Sequence, residues 1–226
     1  MTEAFSFLNS IRGISGIRAH WVEAIGSETI YGDRDSAMKQ LRKHHELAVR
    51  QFAGAGAEWW RAEQVHGTDV AIVPGAETTL AADGLPIVPG VDGLITQKAG
   101  IVLAIYVADC AAVWLADQRN GAIGLLHSGK KGTEGNIIEK GIRGMIDAFG
   151  SRAQDIVVVL SPCIRPPDYE VDFATDIQQQ ARAAGVARFH DCGLNTAADR
   201  ERFYSYRRDL GRTGRMMALI MRDEIS

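Results

Sequence analysis

Two hydrophobic periods share this chain. Over residues 36–52, Met38, Leu41, His45, Ala48, Val49 and Phe52 recur at helical spacing, with Asp35 or Ser36 as cap and Gly54 as stop. A second helix is predicted over 133–149, carrying Ile137, Ile138, Ile142, Met145, Ile146 and Phe149 and closed by Gly150. A third spans 173–184 and is closed by Gly185. Short apolar, largely β-branched runs fill the intervals: 69–73, stopped by Pro74-Gly75, then 101–107, 112–116, 122–126, 155–160 and 216–221. The Gly- and Pro-rich stretch from Pro74 to Gly93 reads as a surface loop. Asp117-Gln118-Arg119-Asn120-Gly121 reads as a turn, so the runs on either side of it should pair as a hairpin. With Gln118 to Gly121 as the loop, Asp117 stands opposite Ala122 and Ala112 opposite His127. Strands interleaved with helices, one pair of them a hairpin, predict an α/β to α+β fold with a mixed β-sheet and flanking helices.

Composition narrows the class. The 226 residues suit one layered domain with ample material for a core, and 46% hydrophobic with 23% charged residues is ordinary for a globular protein. The balance of 25 basic against 28 acidic residues, net −3, provides no global field to recruit nucleic acid or an anionic membrane. The most apolar stretch, from Ile101 to Ala116, is shorter than a bilayer span and is broken by Asp109. The first residues, Met1 to Ser6, carry an acid and no long apolar core, unlike a secretory signal, so a cytoplasmic location is expected. Three widely spaced cysteines, Cys110, Cys163 and Cys192, point to reduced thiols.

Candidate chemistry lies at the strand ends. Gln64-Val65-His66-Gly67, Ala108-Asp109-Cys110 and His127-Ser128-Gly129 each adjoin an apolar run, and two imidazoles with a thiol can hold one metal ion and leave a position open. Each residue alone has an ordinary explanation: a hydrogen-bonded loop histidine, a small buried cysteine, a histidine at a strand end. Spacings of 44 and 17 residues match no short zinc-finger pattern. Near the C-terminus Arg200, Arg202, Arg207, Arg208, Arg212 and Arg215 crowd together, either as an anion site or as a solvated face.

The surrounding motifs add weight. Gln64-Val65-His66-Gly67-Thr68-Asp69, Asp92-Gly93-Leu94-Ile95-Thr96, Ala108-Asp109-Cys110, His127-Ser128-Gly129, Tyr169-Glu170-Val171, Ser205-Tyr206-Arg207-Arg208-Asp209 and Thr213-Gly214-Arg215 stand in an order and at distances that resemble the YfiH family. Its members are also termed laccase-domain or polyphenol-oxidase-like proteins. The resemblance covers about residues 63–220 and implies a YfiH-like, cysteine-hydrolase-like fold, with zinc ligands at His66, Cys110 and His127. It implies cleavage of adenosine, inosine, guanosine or methylthioadenosine with phosphate, and deamination of adenosine, for which a metal lowers the pKa of water. Asp109, Cys110 and His127 then become the catalytic candidates, with Asp109 either a proton carrier or, preferably, an orienter of its turn. Gln64, Asp92, Lys131, Arg207, Arg208 and Arg215 become the substrate-binding candidates, with guanidinium forks suited to phosphate. The partners implied are a purine nucleoside and phosphate; the oligomeric state is left open.

Several departures matter. Where most members carry His-Ala-Gly-Trp-Arg-Gly, this chain has His127-Ser128-Gly129-Lys130-Lys131-Gly132, so an aromatic and a fork donor become two ammonium groups. Asp168 replaces one cysteine of a pair common before the Tyr-Glu motif, which makes a second thiol ligand improbable and Cys163 a packing residue. Residues 17–33 look shortened, without the Gly-Gly-Val-Ser and Asn-Leu signature. Two further functions stay open: a cysteine hydrolase or deamidase with Cys110 as nucleophile and His127 as base, and a non-catalytic nucleoside- or partner-binding protein. Multicopper oxidation fits less well than zinc, since only His20, His44, His45 and His190 would remain to hold further copper ions.

Overall fold

The computed structural model of the protein describes residues 5–25 and 30–224. The expectations placed on Met1 to Ala4, and part of those on residues 17–33, lie outside the described residues. In chain order the elements are α1 (Asn9–Arg12), β1 (Ile17–Val22), α2 (Arg34–Ala53), β2 (Glu58–Arg61), β3 (Val70–Ile72), β4 (Thr79–Leu80), β5 (Pro86–Ile87), β6 (Gly93–Thr96), β7 (Ile101–Val107), β8 (Ala111–Asp117), β9 (Ile123–Ser128), α3 (Lys130–Glu134), α4 (Ile137–Phe149), β10 (Ile156–Leu160), α5 (Phe173–Ala183), β11 (Arg188–Asp191) and β12 (Met216–Arg222).

The expected mixed β-structure with flanking helices is present, divided between two large sheets. One has the order β1-β12-β7-β2 and the other β11-β10-β8-β9-β6-β3, while β4 and β5 pair by themselves. Each large sheet is antiparallel at its centre and carries parallel edge strands: β2 beside β7 in the first, β11 beside β10 and β3 beside β6 in the second.

Strand alternation explains how they pack. Along β7, Ile101, Leu103, Ile105 and Val107 point into a cluster shared with Ala112, Trp114 and Ala116 of β8, so this core lies between the sheets. Trp114 anchors it, its indole N–H donating to the Leu219 carbonyl of the opposite sheet at 2.9 Å and its ring meeting Trp21 edge-on at 6.0 Å. The other faces are covered by helices. Val102, Ala104 and Tyr106 pack with Met38 and Val49 of α2, while Ala111, Val113 and Leu115 pack with Ile138, Ile142 and Met145 of α4 and with Phe173 and Ile177 of α5. Burial on both faces is why β7 reads as an unbroken apolar run rather than an alternating one.

Several expectations require correction. α2 begins earlier than predicted and is capped by Asp33, whose side chain accepts from the Ser36 N–H. The continuous helix over 133–149 is two, broken at Gly135 and at Asn136, which sits in the left-handed region at φ 57°. A Cβ at Gly135 would lie 2.5 Å from the Thr68 methyl, so the break brings the chain against the loop before β3. The presumed surface loop over 74–93 carries β4 and β5 and buries Asp83, Ile87, Val88 and Asp92. Among the described residues no helix is long and apolar enough to cross a membrane.

Candidate functional site

The β8–β9 hairpin has the register its turn predicts, with Ala112 paired to His127 and the Asp117 N–H donating to the Ala122 carbonyl. This sets Cys110, one residue before β8, beside His127 near the end of β9. His66 arrives on the segment joining β2 to β3. One ligand atom from each of His66, Cys110 and His127 lies within 4.8 Å of the others, and the two imidazole rings meet edge-on at 4.9 Å. Gln64, His66 and Asp109 all hold positive φ, at 65°, 62° and 80°. Non-glycine residues rarely adopt this region, and such strain concentrates where surrounding contacts fix a functional side chain.

Asp92, fully buried before β6, is the fixing group. Its carboxylate accepts the N–H groups of Val65, His66 and Gly67 at 3.1, 2.9 and 2.7 Å. It also accepts Nδ1–H of His127 at 2.7 Å, which leaves Nε2 of that ring as the ligand atom. One carboxylate thus orients both histidines. Gly129 allows the close approach of the next turn, since a Cβ there would lie 2.5 Å from the Cys110 sulfur.

Electrostatics favour a cation here. Burial alone would raise the Cys110 thiol, yet neighbouring His127 and His66 bring it down to about 6. Burial alone would lower His127, but Cys110 and Asp92 pull it up to about 9. Asp92 stays below its ordinary carboxylate range because hydrogen bonds, led by the one from His127, outweigh the cost of its burial. A thiolate and two imidazoles converging at this spacing fit one tetrahedral ion with a fourth position open.

The trio lines a cavity of about 700 Å³. Arg34, at the start of α2, and Arg215, just before β12, also line it. Arg34 donates to the carbonyls of Glu63 and Gln64, and Arg215 to those of Thr213 and Gly214. Among the described residues neither is paired with a carboxylate. Burial, with Arg34 alongside, lowers Arg215 to about 10. Tyr169, Phe173 and Tyr206 add aromatic wall.

A family model described as multi-copper polyphenol oxidoreductase laccase matches residues 23–181 and 171–223. The chain belongs to this family. Purine nucleoside phosphorylase YlmD of Geobacillus stearothermophilus is 34% identical over 204 residues, which cover 74% of this chain and 73% of that protein. The crystal structure of YlmD from the same organism superposes with a TM-score of 0.78 at 28% identity, covering 93% of each chain. A Bacillus licheniformis hypothetical protein, YfiH, shares the fold, with a TM-score of 0.74 at 22% identity and coverage of 92% of this chain and 93% of that one.

In this member of the laccase family, Gln64, Asp109, Lys131, Arg207 and Arg215 line the cavity as well as the trio. Asp92 and Arg208 do not. Asp92 lies behind the histidines, and Arg208 is turned to the carbonyls of Thr196 and Phe203 and to Asp209. Gln64 is buried and bonded through its side-chain amide to both backbone groups of Tyr106. Asp109 accepts from Thr196 and Ser205 hydroxyls at 2.6 and 3.0 Å and from the Arg207 N–H at 2.7 Å. Arg207 pairs with Glu170 and lies over the Tyr169 ring. Cys163 is fully buried in the apolar cluster around α4 and α5. Sequence reasoning missed Arg34, which opens a helix and belongs to no motif, and Thr196, which nothing in the sequence connects to Asp109.

Proposed function

We propose that the protein is a zinc-dependent enzyme of the cytoplasm acting on purine nucleosides, cleaving adenosine, inosine, guanosine or methylthioadenosine with phosphate, deaminating adenosine, or both. The observation that carries this reading is the His66/Cys110/His127 trio opening into a cavity that also presents two guanidinium groups without carboxylate partners among the described residues. The name of the relative from Geobacillus stearothermophilus supports the nucleoside and phosphate chemistry. His66, Cys110 and His127 would hold zinc, which one thiolate and two imidazoles suit better than copper. Zinc held there would supply a Lewis acid beside the bound substrate.

The remaining roles belong to the chain itself. Arg34 and Arg215 offer planar forks for phosphate, and their burial strengthens each contact they make. The aromatic walls suit a purine ring. Asp109, with three donors already aimed at it, holds the Cys110 turn and the Arg207 backbone together, a positioning role. Asp92 does the same for the histidines, and Gln64 ties the His66 loop to β7. Metal analysis of the purified protein, followed by product chromatography with adenosine and inosine with and without phosphate, tests the proposal. Bound zinc with turnover that His127→Ala abolishes is expected; a metal-free, inactive protein would overturn it.

The Asp92–His127–Cys110 line favours a second reading, a cysteine hydrolase or deamidase, because it also has the order of an orienter, a base and a nucleophile. Stoichiometric alkylation of Cys110 in metal-depleted protein separates the two. Activity present without metal and lost on alkylation would favour the hydrolase, and indifference to alkylation would exclude it.

A further inference from the structure

The cavity has more uncompensated positive charge than one inorganic phosphate requires. Arg34 and Arg215 form one cationic locus, contributed by α2 and the segment before β12, on the side of the four-stranded sheet. Lys130 and Lys131 form another, contributed by the start of α3, which follows β9 of the six-stranded sheet. Both lysines are exposed and line the same cavity, and among the described residues neither side chain has an ion pair or hydrogen bond. The acids nearby are committed elsewhere: Asp109 to Thr196, Ser205 and the Arg207 N–H, and Glu170 to Arg207. A neutral nucleoside with free phosphate would leave the lysines without a counter-charge.

We propose that Lys130 and Lys131 make the cavity selective for a purine nucleoside that itself carries a phosphate, a purine nucleoside 5′-monophosphate, over the neutral nucleoside. The inference rests on the nucleoside reading above and specifies its substrate class. The two lysines act as mobile point charges on the substrate's own phosphate, while the guanidinium forks hold the attacking one. The cavity volume lies within the range that encloses a ligand of this size. In phosphorolysis the C1′–N9 bond breaks and a C1′–O bond forms to inorganic hydrogen phosphate. The proton of the hydrogen phosphate passes to the departing base, so the products are a free purine and ribose 1,5-bisphosphate.

Calorimetric binding of adenosine and of adenosine 5′-monophosphate, each with and without saturating inorganic phosphate, tests this on the whole protein. The monophosphate should bind about tenfold more tightly at low ionic strength, and the advantage should shrink with salt. It should persist when inorganic phosphate saturates, because the two anions use different cations. K130Q/K131Q should bring the ratio of the two affinities towards one, with thermal unfolding confirming that the variant is folded. An advantage that inorganic phosphate abolishes would overturn the proposal, since a single anion locus would then serve both. Equal binding of the two ligands would overturn it while leaving the nucleoside reading intact; failure of both to bind would sink both. Ribose 1,5-bisphosphate detected by mass spectrometry provides a second, independent readout.

Discussion

At the scale of single residues, the site depends on Asp92 as much as on the three donors. Its carboxylate accepts three successive backbone N–H groups and one imidazole N–H, so it sets the path of the His66 loop and the tautomer of His127 together. Asp92→Asn keeps the shape but swaps an acceptor oxygen for an amide donor facing donors. We expect metal affinity to fall about 10–100-fold, the usual cost of losing such an outer partner, read by competition with a chelator. An affinity equal to that of the parent would remove Asp92 from this role. Gly129→Ala is the companion test, because its Cβ would press on the Cys110 sulfur at 2.5 Å and displace the thiol from the histidines. Here bound metal should fall well below one equivalent while the fold survives. The trio itself was legible only through the motifs around it, since its spacing is uninformative. Arg34 was not legible at all: an arginine at a helix start is ordinary until the tertiary fold brings it beside Arg215.

Among the elements, legibility followed burial and turn chemistry. The β8–β9 register could be read because Asp117 and the following turn residues specify the loop, and both strands lie wholly inside the protein. Strands β2 and β11 stand at sheet edges where Arg61 is the one buried residue of their eight, and β3 is too short for a period to declare itself. β6 has only four residues, and its glycine is there because any Cβ would meet Leu126. The helix break at Asn136 was hidden because every apolar position of the predicted helix, from Ile137 to Phe149, lies after it, so the period says nothing about residues 133–136. Asn136 combines a left-handed backbone with a side chain that accepts from the Glu139 N–H, so two substitutions separate the two contributions. Asn136→Gly should cost little, because glycine tolerates this φ and leaves an acceptable cap. Asn136→Ala loses both the cap and the backbone tolerance and should cost about 1–2 kcal/mol in urea unfolding. If the two variants prove equally stable, the left-handed turn is not what divides α3 from α4.

For the whole molecule, the two sheets share one apolar cluster, so neither can lose its inner face without exposing the other's. Unfolding should therefore be a single transition by fluorescence and by calorimetry, as expected of one domain; two separated transitions would contradict that. Its pH dependence should carry a mark from His45, which joins α2 to the strand that completes the four-stranded sheet. The buried ring hydrogen-bonds through Nε2 to the Arg215 carbonyl at 3.1 Å, while Nδ1 has no partner among the described residues. Protonation would bury a second N–H with nothing among the described residues to accept it, near His44 and Arg61, and the Arg215 carbonyl and Asp83 offset only part of that cost. Burial therefore lowers His45 from 6.5 to about 4. The sign follows from proton counting. Between these two values the unfolded chain holds the proton and the folded chain does not, so acidification favours unfolding there. Above pH 6.5 the full contribution is present; it declines as pH falls through the window and is exhausted below about 4. The total is about 3 kcal/mol. In His45→Gln the side-chain amide can still donate to the Arg215 carbonyl but does not titrate, so the variant should lose this part of the acid slope. Urea midpoints for parent and variant at several pH values between 4 and 7 measure the difference. Parallel curves would show that His45 takes up its proton as readily in the folded protein as in the unfolded chain and that α2 docks without regard to its charge.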